Sequence, residues 1–345
     1  MGRAGIESNT SVGDARQDAL REWLGKLPSL DSFDIEPASG DASFRRYFRI
    51  STGDESWIAM DAPPEREDCL PFVRVLSWLE AIGLNVPKLL ASDLEAGFLL
   101  LSDLGTEVYL DTLVADPERA PGLYSDALDA LAVMQQGGAS CQDQLPPFDA
   151  EFIRRELALF HDWLCGTHLG YAWPAESEKA WEELSNLLIN AALNQPVVFV
   201  HRDYHSRNLM VTRDNNPGIL DFQDAVAGPL TYDLVSLLKD CYVTWPADAV
   251  SAWADSYYDR LDGTLRATLS RDAFHRDFAM MGVQRHLKAA GIFARLNHRD
   301  GKPGYMLDIP RTLDYVLAVG AEVPELDFLC RLIDDVVLPG LEALK

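Results

Sequence analysis

The chain carries two hydrophobic periods, and the change from one to the other divides it. Residues 44–51 (FRRYFRIS) and 56–60 (SWIAM) flank the turn Thr52-Gly53-Asp54-Glu55 and predict a pair of strands. Phe72, Val75, Leu76 and Leu79 then recur at helical spacing, which predicts a helix over 71–83. Residues 89–92 and 97–101 predict two more strands around an Asp-Leu-Glu-Ala turn. A short helix is expected ahead of all these, at 15–24. After Gly105 the helical period takes over. Tyr124, Ala127, Leu128, Leu131 and Met134 mark one amphipathic helix; Phe152, Ile153, Leu157 and Phe160 mark a second; Trp181, Leu184, Leu188 and Ala191 mark a third. The apolar run 197–200 (VVFV) reads as a buried strand, followed by a hairpin from 209–211 to 219–220. From Tyr232 onward the pattern is mainly helical, broken near Pro246, 301–303 and Pro324. The expected plan is α+β: a flexible stretch at 1–16, a small β-rich lobe over 17–104 and a larger, mainly helical lobe over 105–345.

Candidate chemistry sits where the apolar run ends. His201-Arg202-Asp203-Tyr204-His205-Ser206-Arg207-Asn208 follows VVFV directly, and Asp221-Phe222-Gln223-Asp224 closes the hairpin. Phosphoryl transfer needs a carboxylate to orient the attacking hydroxyl and oxygen ligands to hold magnesium against the phosphates. An Asp on a loop, an Asn five residues later and an Asp at the end of the next hairpin supply that set. The arrangement resembles the protein-kinase signature H-R-D-x-x-x-x-N followed by D-F-G. The resemblance implies Asp203 as catalytic base, Asn208 and Asp221 as magnesium ligands, and His201 as a loop-stabilising residue.

The departures narrow it. Gln223 stands where protein kinases have Gly, and there is no A-P-E segment. Only about ten residues separate Asp221 from Tyr232-Asp233-Leu234, too few for a phosphorylated activation loop. The pattern D-F-Q-D-A…G-P…Y-D-L is similar to that of the aminoglycoside-phosphotransferase superfamily. That likeness implies a protein-kinase-like two-lobed fold in which Asp233 opens a core helix and tethers the catalytic loop.

In the small lobe, Ser39, Gly40 and Ser43 belong to a small-residue segment whose backbone N–H groups suit phosphate. Residues 101–105 occupy the position of a kinase hinge, with the backbone around Ser102 and Leu104 expected at the adenine edge. The strand Ile58-Ala59-Met60-Asp61 lies where the superfamily has V-A-x-K, so an acid stands in the lysine position. Arg45 and Arg46, adjacent on a strand, are candidate replacements, one facing the nucleotide and the other facing away. Arg74 is expected to pair with Asp61.

The wording between the motifs carries the likeness further. HRDYHSRNLMV, ILDFQDAVAGPLTYDLVSLLKDCYVTWP, ASGDASFRRYFRI with AMDAPPE, and QRHLKAAGIFARLNHRDGKPGY resemble the bacterial anomeric kinases of N-acetylmuramate and N-acetylglucosamine. The resemblance runs from about residue 18 onward. It implies ATP and Mg2+ as cofactors, an amino sugar as substrate, and a sugar 1-phosphate product in peptidoglycan recycling. Polar candidates for the sugar are Tyr204, His205, Gln223, Asp224 and Arg285, the last suited to a lactyl carboxylate. An aminoglycoside kinase and a non-catalytic ATP-binding module remain as alternatives.

Charge and cysteine content change the picture in two respects. There are 54 acidic and 30 basic residues, a net charge of −24, which disfavours nucleic acid and anionic membranes as partners. Five scattered cysteines without a C-x-x-C pair argue against a zinc site and for a reducing compartment. The polar N-terminal stretch lacks a secretory apolar region, and no run approaches a membrane span, so a cytoplasmic monomer is expected.

Overall fold

The computed structural model describes residues 11–28, 30, 32–40 and 44–344. The chain divides into two compact units. One holds the residues through Glu80 together with Val86–Gly105; the other holds Ala81–Asn85 and everything from Thr106 onward.

The first unit is built on an antiparallel sheet of five strands: β1 (Asp34–Gly40), β2 (Arg46–Thr52), β3 (Glu55–Asp61), β4 (Leu89–Asp93) and β5 (Phe98–Ser102), in the order β1-β2-β3-β5-β4. Side chains alternate across a strand, so Phe48, Ile50, Ala59, Phe98 and Leu100 share one face. That face packs against Leu20 and Leu24 of helix α1 (Ser11–Leu24) and against Leu30. Met60, Leu99 and Leu101, of opposite parity, are buried too, so β5 is apolar and buried from Phe98 through Leu101. Helix α2 (Cys69–Ala81) buries Phe72, Val75, Leu76 and Leu79, the residues whose spacing predicts it. It stops two residues earlier than expected. Gly83 follows at φ +84°, a left-handed conformation that glycine adopts without a Cβ penalty.

Strand β1 was not among the expected elements. Its sequence, DIEPASG, contains Pro37, and the register with β2 shifts between Pro37 and Ser39, the place where a sheet edge tolerates proline. The expected phosphate segment is therefore partly strand: Ser39 pairs with Tyr47 and Gly40 with Arg46. Ser43 lies outside the described residues.

The second unit is mainly helical. It contains α3 (Tyr109–Ala115), α4 (Ala120–Gly137), α5 (Ala150–Ala158) and α6 (Ala175–Leu193), with α5 continuing as a π-helix over Leu159–His168. Two small antiparallel pairs follow, β6 (Val197–Val200) with β9 (Val226–Pro229) and β7 (Leu209–Met210) with β8 (Gly218–Ile219). Helices α7 (Tyr232–Leu238), α8 (Ala247–Arg260), α9 (Gly263–Thr268), α10 (Arg271–Asp300) and α11 (Ile309–Gly320) come next. The 30-residue α10 begins at an Ser270 side-chain cap on the Ala273 N–H and ends at Gly301, φ +64°. Its residues 280–288 are buried without a break, Gln284, Arg285, His286 and Lys288 included. A helix buried all round is a core element, and the polar residues inside it need partners. Among the described residues, no helix is long and apolar enough to cross a membrane.

Candidate active site

The loop after β6 is held from below by two buried carboxylates. Asp233, in the first turn of α7, accepts the backbone N–H groups of His201 (2.7 Å) and Arg202 (2.9 Å). Asp240 accepts Ser206 N–H (3.0 Å) and Ser206 Oγ–H (2.5 Å) on one oxygen and Tyr242 N–H (2.8 Å) on the other. His201 is fully buried, and burial pushes its pKa down to about 4, so the ring is neutral. Its Nδ1 accepts the Asp203 N–H (3.3 Å), which leaves Nε2–H to donate to Leu220 O (3.0 Å) and links the loop to the hairpin. Two non-glycine residues here have left-handed backbones, Arg202 (φ +79°) and Asp221 (φ +65°). Such strain costs on the order of 1–3 kcal/mol per residue and persists where the surroundings over-determine a geometry.

That geometry brings three of the expected residues together. Asn208 Nδ2 donates to Asp203 O (2.9 Å) and to Asp221 Oδ2 (3.2 Å). Gln223 Nε2 donates to the other Asp221 oxygen at 2.7 Å. Both amide hydrogens of Asn208 are thus spent, which leaves its Oδ1 to serve a cation beside the Asp221 carboxylate. Two hard oxygen donors of this kind fit Mg2+, which takes a few protein oxygens and fills its remaining positions with water and phosphate.

Asp203 lines a cavity with His205, Tyr242, Arg285 and Lys288, walled on its far side by Ile292 and Phe293 of α10. Burial by itself would raise the Asp203 carboxyl. The Lys288 ammonium, with smaller contributions from the other cations around it, outweighs burial and holds it well below the usual carboxylate range. Lys288 is anchored in turn: its Nζ donates to Tyr232 Oη at 2.9 Å and lies 3.3 Å from Glu156 Oε1. Glu156 also receives Arg202 Nη2 (3.1 Å) and Gln284 Nε2 (2.9 Å). This buried acid therefore ties the loop to α10. Lys288, Glu156 and Asp240 were not among the expected site residues. A lysine one helical turn beyond Arg285 is a readable signal; the partners of Glu156 and Asp240 are set by tertiary packing alone.

Other expected residues fall elsewhere. Tyr204 is not at the cavity. It is fully buried, and its hydroxyl donates to Ala127 O (2.8 Å), so it anchors the loop to α4. Gln223 is buried with its amide on Asp221, which makes it an orienting residue rather than a sugar contact. Asp224 is exposed and does not line the cavity; its carbonyl accepts Arg202 Nη1 at 3.4 Å.

In the first unit, Asp61 is fully buried. Its two oxygens accept Arg16 Nε (2.8 Å) and Arg46 Nε (2.9 Å). Arg74 is exposed, so the expected Arg74–Asp61 pair is replaced by a clamp from α1 and β2. Antiparallel pairing sets Arg46 directly opposite Asp61, and this register explains the choice. Arg45 pairs with Glu67 at 2.8 Å. Asp103 accepts Arg49 (2.7 Å), Ser56 Oγ–H (2.8 Å) and Gly105 N–H (2.9 Å). Ser102 N–H donates to Lys88 O (2.9 Å), so it is not available to an adenine, and Ser102 Oγ accepts Lys88 N–H (2.8 Å); Leu104 is half-buried.

Three comparisons bear on these units. The chain is 47% identical over 331 residues to a Pseudomonas aeruginosa protein named N-acetylmuramate/N-acetylglucosamine kinase, a match covering 93% of this chain and 96% of that one. A Neisseria meningitidis protein of the same name is 39% identical over 326 residues, covering 93% and 96%. Among solved structures, the choline kinase LicA of Streptococcus pneumoniae aligns with TM-score 0.62 at 13% identity, covering 88% of this chain and 99% of that one. An ADP-bound aminoglycoside phosphotransferase aligns with TM-score 0.58 at 15% identity, covering 86% and 97%. These likenesses at low identity show the fold, which is the protein-kinase-like one expected from the sequence. The family model described as "Phosphotransferase enzyme family" (APH) matches residues 34–276. The chain therefore belongs to the phosphotransferase enzyme family.

Proposed function

We propose that this chain transfers the terminal phosphoryl group of ATP to the anomeric C1 hydroxyl of N-acetylmuramate or N-acetylglucosamine. The observation that carries this reading is the 47% identity, across 93% of the chain, with a relative named as a kinase of those two sugars. The cavity agrees with it. Arg285 and Lys288 stand beside Asp203, a wall suited to a neutral or acidic sugar and hostile to a polycationic aminoglycoside.

Asp203 is the base in this reaction. Its carboxylate is ionised at neutral pH and orients the hydroxyl by accepting its hydrogen bond. An anomeric hydroxyl belongs to a hemiacetal and is more acidic than an ordinary alcohol, so a weak base accepting the proton late suffices. The sugar oxygen forms a bond to the terminal phosphorus, the bond from that phosphorus to the β-phosphate oxygen breaks, and ADP leaves. Asn208 and Asp221 would hold magnesium, which when bound offsets charge on the phosphates. His205 contributes a neutral imidazole to the sugar side, since burial lowers its pKa. Within the first unit, the backbone at Ser39, Gly40 and Leu104 is the candidate for nucleotide contact, while Arg46 is held by Asp61. Five free cysteines fit work in the reducing cytoplasm.

The test is incubation with Mg-ATP and, separately, N-acetylmuramate, N-acetylglucosamine and kanamycin, read by phosphorus NMR. The expected result is a C1 phosphate on the N-acetyl sugars that falls by three orders of magnitude or more in Asp203→Asn, on the order expected for a lost base and orienting group. Phosphate on kanamycin alone would sink the sugar assignment and keep the phosphotransferase.

A further inference from the structure

Arg285 is a buried cation that no acid among the described residues pairs with. It is buried, only 6% exposed, and it lines the cavity that holds Asp203. Its Nε and Nη1 have no hydrogen-bond partner. The remaining contact is with Cys241, whose thiol burial keeps protonated, so it offers a weak, neutral acceptor. Asp203 acts on Arg285 through space but forms no ion pair with it, and the acids Asp240 and Glu156 are committed elsewhere. Asp240 holds Ser206 and Tyr242, and Glu156 holds Lys288, Arg202 and Gln284. A buried guanidinium with idle N–H groups is costly, and its placement in a cavity aims that cost at a ligand.

The position of the cavity says which part of the ligand. Neither Asn208 nor Asp221 lines it. The guanidinium therefore lies on the acceptor side of Asp203, away from the metal-ligand pair and the phosphates it would hold. The apolar wall of Ala289, Ile292 and Phe293 beside it matches the methyl and ring faces of a substituted sugar rather than a phosphate chain.

We propose that Arg285 is a specificity-determining residue that binds a carboxylate borne by the sugar, so that the site favours the lactyl ether acid N-acetylmuramate over neutral N-acetylglucosamine. This rests on the sugar-kinase reading above. Lys288 does not take this role, because its ammonium is already held by Tyr232 and Glu156. A site built to pair a charged group uses an analogue that lacks it less well, because its own polar atoms are then left bare.

The test is steady-state kinetics of the intact chain with N-acetylmuramate, its neutral lactyl amide and N-acetylglucosamine. Unaltered protein should use the acid about tenfold or more better than the amide in kcat/KM, as expected for loss of a charge-assisted pair. In Arg285→Met that acid-to-amide ratio should fall to near one, and Arg285→Lys should retain part of it. Each ratio is taken within one sample, so a lower folded fraction cancels. Equal use of acid and amide by the unaltered protein overturns the assignment, and so does an Arg285→Met variant that slows both equally. Absence of turnover on all three sugars removes the reading on which it rests, and the assignment with it.

Discussion

At the scale of single residues, the charge on Asp203 is set by a competition. Burial favours the neutral acid, and Lys288 is the largest opposing influence. Activity needs the carboxylate and is lost as pH falls through its pKa. That pKa lies below the ordinary Asp value of about 3.9, so Asp203 contributes no acid limb to kcat/KM between pH of about 5 and 8. Lys288→Met removes the largest counter-charge and leaves burial opposed only by the weaker charges around it. Its acid limb should move upward, read from a pH–rate profile against the unaltered protein. An unmoved limb would mean that Lys288 does not govern Asp203. The core residues Asp203, Asn208 and Asp221 were legible because their spacing encodes a loop and a hairpin that must converge. Tyr204 misled because a residue next to a base on a loop can point either way. Only the packing of α4, which offers the Ala127 carbonyl to its hydroxyl, decides. The sequence likewise showed an acid at position 61 but not its partner, since Arg16 comes from 45 residues away.

At the scale of elements, α10 is the member on which the site depends, because Arg285 and Lys288 both project from it. Its position is fixed by a close approach at Gly291. A Cβ there would come within 2.2 Å of the Leu159 carbonyl carbon and 2.4 Å of the Phe160 nitrogen, both backbone atoms of the π-helix. Backbone cannot swing aside as a long side chain can, so Gly291→Ala must push the two helices apart. The expected loss is about 2 kcal/mol or more, as for overpacked cores, and is measured by urea unfolding. The same variant should lose sugar turnover even where it is folded, since the displaced helix carries the cavity wall with it. The long amphipathic helices and the strands of strong alternation were readable from period alone. Strand β1 was not, because Pro37 and the small residues around it resemble a loop until a neighbouring strand supplies the hydrogen bonds. The π-helical turn after α5 has no periodic signature that distinguishes it from its α neighbour.

At the scale of the whole molecule, the net charge of −24 acts on stability through self-repulsion, which the compact state feels more than the extended chain. Screening relieves it. Raising ionic strength from about 0.02 to 0.2 M shortens the Debye length to within the size of a side-chain cluster and should raise Tm by a few degrees. A scan in sodium chloride checks this, and a falling Tm would mean that surface ion pairs outweigh net repulsion. The clamp on Asp61 has a consequence of another kind, for how such a chain can change by descent. Placing lysine at position 61, where the sequence resemblance expects one, would set an ammonium where two guanidinium groups now share a buried carboxylate. The single step back is therefore worse than either end state. Arg16 and Arg46 would have to give way first, and each of those changes alone leaves a buried acid short of a partner. The reversed charge thus acts as a ratchet: three positions on α1, β2 and β3 hold one another in place, so that changing any one alone leaves a buried charge unmatched.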